Sequence, residues 1–457
     1  MKKCILLVIL FLPISLLAQE FSGQWYSSFT VMGTSMRMNL DVVESPEVTV
    51  TVSNPDMNSS EIECDEAEVN GNEFYFKLES LNLTYKGSKT GDSIQGEMQQ
   101  HGLKWDVTFT REEQEKAVAN RPQEPKPPFP YKQDSLQIEN GDISLGATII
   151  LPNGFDKNTP IVILSSGSGP QNRDCAIAGH KPFWVIADHL ARNNIACVRF
   201  DDRGTGTSTG NYNEATLMDL ASDVEAVSKY VRKDLMHKKN PLGLLGHSEG
   251  GMHTLIAANN YNKIDFLIQL ATVGTTGKDV LIQQQYDIPV ASGESQELAK
   301  WNQDTYLGMS NIVLEYPQDV ATDSLTTFLG NQYENAPEGF DKSTSGRLQF
   351  ILGNIMFINS QWMREFLQFE TASYLPNLEK REVMMLVIHG EKDVQVTPEL
   401  NNAGFREYEY AELAIIEGVN HLMQHCTTCS MQEYGELEET ISPTVLNYIT
   451  TWVQKFQ

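Results

Sequence analysis

The feature that most constrains the fold is a change in the period of the apolar residues, which divides the chain at a proline-rich stretch. Between Phe21 and about Arg111, apolar and polar residues alternate, as in Met36-Met38-Leu40-Val42, Val48-Val50-Val52, Phe74-Phe76-Leu78 and Trp105-Val107-Phe109. Side chains on a strand point to opposite faces in turn, so a period of two describes strands with one buried face. Turn residues separate these runs at Gly33-Thr34-Ser35, Asn70-Gly71-Asn72 and from Gly87 to Gly91. A small antiparallel sandwich or barrel is therefore expected here.

The passage from Glu112 to Tyr131 contains Arg121-Pro122-Gln123-Glu124-Pro125-Lys126-Pro127-Pro128. Proline fixes φ and removes a donor, so an extended, semi-rigid linker is expected. A hairpin with Asn140-Gly141 at its turn opens the second part. Short, fully apolar strands then alternate with amphipathic helices: Ile161 to Leu164, Ala196 to Phe200, Leu242 to Leu245, Phe266 to Leu270, Val383 to Ile388 and Leu413 to Ile416. That pattern predicts an α/β fold whose mostly parallel sheet is covered on both faces. Thr216 and Asp219 form a capping-box pattern ahead of the stripe Leu217, Leu220, Val224, Val227 and Val231. The segment from about 275 to 378 is too long for a connection and carries helical patterns with Trp301, Tyr306, Phe350, Phe357, Trp362, Phe366 and Phe369. It reads as a helical cap, with most of these aromatics in the cap's own core.

Lys2 and Lys3 precede an apolar run from Ile5 to Leu17 that ends at Ala18, the pattern of a cleaved export signal. The expected organisation is a signal peptide at 1–18, an antiparallel β domain at 19–114, a linker at 115–130 and a catalytic domain at 131–457. The mature protein is expected to be periplasmic or extracellular, without stable membrane insertion. A net charge of −26 over 457 residues repels phosphate backbones, so nucleic acid is not an expected partner. Cys426 and Cys429 can pair or stand as loop cysteines. Their spacing is also half of a zinc site, but a second cysteine pair is missing, so no metal is expected.

Candidate chemistry centres on Gly246-His247-Ser248-Glu249-Gly250, which follows the apolar run Leu242-Gly243-Leu244-Leu245 and precedes the small-residue helix start Gly251-Met252-His253-Thr254. Strand, sharp turn and helix in this order expose a serine held in a strained turn, the setting of a nucleophile. A serine hydroxyl needs a base, a group that orients the base, and donors for the oxyanion. His421 follows the strand ending at Ile416 and is the candidate base, with His425 in reserve. Asp393, in the turn Gly390-Glu391-Lys392-Asp393, is the candidate orienting acid, with Glu391 as the alternative. The backbone N–H groups of Glu249 and of Ser168, in Ser166-Gly167-Ser168-Gly169-Pro170, are the candidate oxyanion donors.

With these residues in view, the chain from about Tyr131 to its C-terminus resembles the α/β-hydrolase superfamily, most closely its bacterial secreted serine esterases. The landmarks are Ser166 to Asp174, then Arg199-Phe200-Asp201-Asp202-Arg203-Gly204-Thr205-Gly206-Thr207-Ser208, then the serine turn, Gly390 to Asp393, and Asn420-His421. The order serine, acid, histidine is that of the superfamily. Ser166 stands where the family often has histidine. The resemblance implies Asp201 and Arg203 as residues that brace the site, and hydrolysis of a carboxylic ester through an acyl-enzyme with no cofactor. A small-molecule ester is the expected partner. A serine aminopeptidase, a thioesterase or acyltransferase, and an inactive binding protein are the alternatives on the same fold.

Overall fold

The computed structural model describes residues 21–457 except 32–33, 56–60, 82, 101–102, 114–119, 236–239, 341 and 343–345. The expected signal peptide and Gly33 of the first expected turn lie outside the described residues. Near residue 118 the chain divides into two compact units.

The N-terminal unit contains β1 (Gly23–Val31), β2 (Thr34–Val43), β3 (Thr49–Ser53), β4 (Ile62–Glu63), β5 (Glu66–Asn70), β6 (Glu73–Leu78), β7 (Leu83–Thr90), β8 (Ser93–Gln100) and β9 (Leu103–Thr110). They form an antiparallel sheet in the order β4-β3-β2-β1-β9-β8-β7-β6-β5. The two outermost strands, β4 and β5, are joined by Cys64 and Asp65, whose N–H groups donate to Val50 on β3 and Lys77 on β6. The edges therefore lie side by side and the sheet curls into a barrel, one of the two forms its period of two allows. Its interior holds Trp25, Leu40, Phe74, Phe76, Tyr85, Ile94 and Phe109. Each such side chain contributes about 1.5–3 kcal/mol on burial.

The C-terminal unit is built on β10 (Tyr131–Asn140), β11 (Ile143–Pro152), β12 (Ile161–Ser165), β13 (Ala196–Phe200), β14 (Leu242–His247), β15 (Phe266–Leu270), β16 (Met384–Gly390) and β17 (Ala411–Ile416). The sheet order is β10-β11-β13-β12-β14-β15-β16-β17. β11 runs antiparallel to both neighbours, and the strands from β13 to β17 are parallel. This is the α/β fold expected from the alternation of apolar strands and helices. The hairpin turn is one residue later than the sequence suggests: Asn140 pairs with Ile143, which leaves Gly141 and Asp142 as the turn.

Successive strand residues serve opposite faces. Ile161, Ile163, Leu242 and Leu244 pack with α2 (Leu217–Tyr230) and α3 (Glu249–Asn260). Val162, Leu164, Leu245 and Ile388 pack with α1 (Pro182–Arg192) and α11 (Pro443–Val453). Thr216 and Asp219 exchange the reciprocal hydrogen bonds of a capping box at the start of α2. The remaining connection on the sheet carries α10 (Pro398–Phe405).

Between β15 and β16 lie α4 (Gly277–Ala291), α5 (Gln296–Glu315), α6 (Gln318–Glu334), α7 (Arg347–Ile358), α8 (Gln361–Gln368) and α9 (Leu375–Glu379). Trp301, Tyr333, Phe340 and Phe350 cluster within this helical insertion. Among the described residues no helix is long and apolar enough to cross a membrane.

The proline-rich stretch departs from a freely extended linker. Arg121 donates to the carbonyls of Gly179, Gly435 and Leu437. Gln123 donates to Ile441 and accepts from Thr440 and Ile441. Polar side chains between the prolines thus fasten its described part along the C-terminal unit.

Candidate active site

Strand order places the site before any side chain is considered. From β12 the chain crosses to β13 on one side, and β14 returns to the other side of β12. At such a reversal the loops leaving the carboxyl ends of β12 and β14 are neighbours. Ser165 pairs with Gly246, so the loop Ser166 to Pro170 begins beside Ser248.

Ser248 has φ 57° and ψ −125°, a conformation that L-residues seldom adopt. Its N–H donates to Leu270 on β15, and α3 starts at the next residue. The turn is possible because its glycines are crowded by backbone. A Cβ on Gly246 would lie 2.3 Å from the Gly250 carbonyl, and one on Gly250 would lie 2.2 Å from that of Ser165. A Cβ on Gly167 would sit 3.0 Å from the Ser248 Cβ, which shows how closely the β12 loop passes the serine.

His421 is at the tip of a tight hairpin. Val419 bridges to His425, the Asn420 N–H donates to Gln424, and the Asn420 side-chain oxygen accepts from Leu422 and Gln424. Its Nδ1 lies 2.8 Å from Asp393 Oδ2. Asp393 Oδ1 accepts the N–H groups of Gln395 and Val396, so the carboxylate is fixed on both oxygens. Both residues are buried. His247 adds a second restraint, with its Nε2 2.9 Å from the His421 carbonyl oxygen and the two rings 4.9 Å apart. Burial, and then the neighbouring His421, push the His247 imidazole down to about 4, so it is neutral and its Nε2–H donates. Ser248 Oγ forms no hydrogen bond among the described residues; in ligand-free sites such contacts often close only when substrate arrives.

The alternatives lie elsewhere. Glu391 is exposed and accepts from the Gly418 N–H. His425 is exposed and pairs with Glu439 at 2.9 Å. His389 is buried between Asn402 and the Thr272 carbonyl.

Neither the Glu249 nor the Ser168 backbone N–H has an acceptor among the described residues, leaving both open to a substrate oxygen. The β12 loop is held by its serine hydroxyls. Ser165 Oγ is 3.4 Å from His253 Nδ1, Ser166 Oγ donates to Asp202 at 3.1 Å, and Ser168 Oγ donates to Glu249 at 2.5 Å. Burial pushes Asp202 up to about 7 against the hydrogen bonds it accepts. Burial also opposes ionisation of Glu249, but hydrogen bonds from His253, Ser168 and Trp362 outweigh it and hold the carboxyl below its usual range.

Asp201 and Arg203 touch other protein groups. Asp201 accepts from Arg173 and Thr207, tying two loops together. Arg203 forms a two-pronged pair with Asp223 on α2. Cys426 and Cys429 are joined in a disulfide, and Glu433 accepts the N–H groups of Thr427, Thr428 and Cys429 around it. Sequence reasoning did not assign the side chains of Glu249, His253, Asp202, His247 and Trp362 to the site. His247 and Glu249 flank the serine and offered that signal; Trp362 reaches the site from 113 residues away and offered none.

A family model described as serine aminopeptidase, S33, matches residues 183–305, a span that includes the serine turn and stops short of Asp393 and His421. No curated protein matches the chain at a significant level. Among solved structures, Est1E from Butyrivibrio proteoclasticus with ferulic acid bound is 18% identical over 70% of this chain and 98% of its own, with a TM-score of 0.41. The α/β hydrolase GrgF from a Penicillium species is 16% identical over 71% and 99%, with a TM-score of 0.44. An esterase from Pyrococcus furiosus is 15% identical over 71% and 93%, with a TM-score of 0.40.

Proposed function

We propose that this chain is an α/β-hydrolase and an exported serine carboxylesterase in which Ser248, His421 and Asp393 form the catalytic triad. The observation that carries the reading is the 2.8 Å contact between His421 Nδ1 and Asp393 Oδ2, on a hairpin fastened by His247 next to the strained Ser248. In this reading His421 Nε2 takes the Ser248 proton as Oγ attacks the ester carbonyl, and Asp393 keeps the proton on Nδ1 and stabilises the imidazolium. The N–H groups of Glu249 and Ser168 receive the oxyanion. The tetrahedral intermediate collapses to an acyl-enzyme as the imidazolium protonates the leaving alcohol. Water, activated by the same imidazole, then releases the acid.

The family description favours a second reading, a serine aminopeptidase. Such an enzyme needs a carboxylate free to meet the substrate ammonium, and the carboxylate next to Ser248, that of Glu249, is buried and already holds three donors. Two assays test the reading. A fluorophosphonate probe should label the wild type at Ser248 and leave Ser248→Ala unmodified. Short-chain nitrophenyl esters should turn over faster than aminoacyl nitroanilides; turnover of the amides alone sinks the esterase assignment. Export is supported by the N-terminal Lys2-Lys3 and apolar run and by the Cys426–Cys429 disulfide, which suits an oxidising compartment. A secreted product whose first residue is Gln19 would show it.

A further inference from the structure

In the reading above, the Glu249 backbone N–H serves the oxyanion. Its side chain joins three parts of the C-terminal unit that are far apart in sequence. Oε2 accepts from Ser168 Oγ, on the loop after β12, at 2.5 Å. Oε1 accepts from the Trp362 indole Nε1, on cap helix α8, at 2.7 Å. The same oxygen lies 3.3 Å from His253 Nε2, one turn along α3. The carboxylate is 2% exposed, so substrate cannot reach it. The Trp362 ring packs against Phe357 at the end of α7 and Phe366 on its own helix, so the indole N–H is carried by the packed cap.

A buried carboxylate is costly unless donors surround it, and here the donors come from the oxyanion loop, the serine helix and the cap. An oxyanion donor acts only when it is held close to the place where charge develops, and a displacement of about 1 Å can cost on the order of 100-fold in rate. Ser168 bears one of those donors on its backbone and is tied to Glu249 through its hydroxyl.

We propose that Glu249 is a positioning residue that couples the cap to the oxyanion hole: Trp362 on α8 fixes the carboxylate, the carboxylate fixes the Ser168 hydroxyl, and the Ser168 N–H is aligned only while α8 is seated. The proposal rests on the serine-hydrolase reading of Ser248. Because the network touches no substrate atom, it governs kcat and leaves KM nearly unchanged.

The test uses the full chain with 4-nitrophenyl butyrate. Trp362→Phe keeps a ring and removes the indole donor; Ser168→Ala keeps the backbone N–H and removes the hydroxyl. Each should lower kcat by about 10- to 100-fold with KM within about twofold. The double variant should be no more than about twofold slower than the slower single one, because both changes act through one carboxylate. Glu249→Gln retains an acceptor for the indole and a group for the Ser168 hydroxyl, so it should recover most of the rate lost in Glu249→Ala. Thermal melts of each variant show that the fold persists. A raised KM at unchanged kcat overturns the coupling, as do losses that multiply in the double variant. Fluorophosphonate labelling separates the two layers. If Ser248 is not labelled in the wild type, the serine-hydrolase reading falls and the coupling with it. If Ser248 is labelled and Trp362→Phe retains the wild-type kcat, only the coupling falls.

Discussion

Replacing Ser248 by glycine should make the protein more stable than replacing it by alanine, although both variants are inactive. The difference comes from backbone geometry. At φ 57° and ψ −125° a residue with a Cβ carries strain of about 1–3 kcal/mol that glycine does not. Alanine retains that strain and loses only an Oγ without a hydrogen bond, so Ser248→Ala should match the wild type. Glycine also makes the unfolded chain freer, which offsets about 0.4–1 kcal/mol of the gain. Strain relief is the larger effect, and the net advantage of glycine over alanine is about 0.5–2 kcal/mol. For a unit of this size that is a shift of roughly 1–3 °C in Tm, and a clearer one in the urea midpoint followed by tryptophan fluorescence. Equal midpoints, or a lower one for glycine, would refute the claim that the serine turn stores backbone strain.

Asp393→Asn keeps the shape but turns an amide toward His421 Nδ1, favouring the wrong tautomer; ester kcat should fall by about 10⁴-fold at pH 7, and labelling of Ser248 should slow in step. Asp202 is protonated more readily in the folded chain, with its carboxyl pushed up to about 7. Its contribution to stability is therefore complete below the unfolded value near 4 and is lost as pH rises toward 7, by up to about 1.4 kcal/mol per unit. The difference in urea midpoint between wild type and Asp202→Asn should shift in that direction between pH 5 and 7.5, and a pH-independent difference would contradict it. Arg203→Met leaves the buried Asp223 without its charge partner and should cost about 3–5 kcal/mol of unfolding free energy, measured by urea denaturation, without a matching change in KM. The Cys426–Cys429 disulfide closes only a very short loop, so its reduction should cost no more than about 2 kcal/mol in the same assay.

The parts that were readable in the sequence are those encoded by local pattern. The inner strands from Ile161 to Ile388 are largely apolar because both faces are covered, and turn chemistry marks Gly246 to Gly250 and the Asn140 hairpin. The pairing of Asp393 with His421 could be anticipated from the positions of their strands at one edge of the sheet. The Glu249 network could not, since Trp362 is an ordinary apolar residue of an amphipathic helix until the cap folds and brings its N–H to the serine helix. Nor could barrel closure be read from alternation, which says which face of a strand is buried and nothing about which edges meet. The proline-rich stretch misled in a different way: its prolines describe an extended backbone, while Arg121 and Gln123 between them decide where that backbone adheres.

The junction at Cys64 and Asp65 has a consequence for how the N-terminal unit behaves in company. A sheet left open at β4 and β5 would end in two rows of unmatched donors and acceptors, each a template for a strand from another copy. By carrying one edge directly to the other, two residues leave that template inaccessible. Lengthening this junction with a flexible insert should therefore show itself in the association state of the protein, as copies that begin to recruit one another through the N-terminal unit.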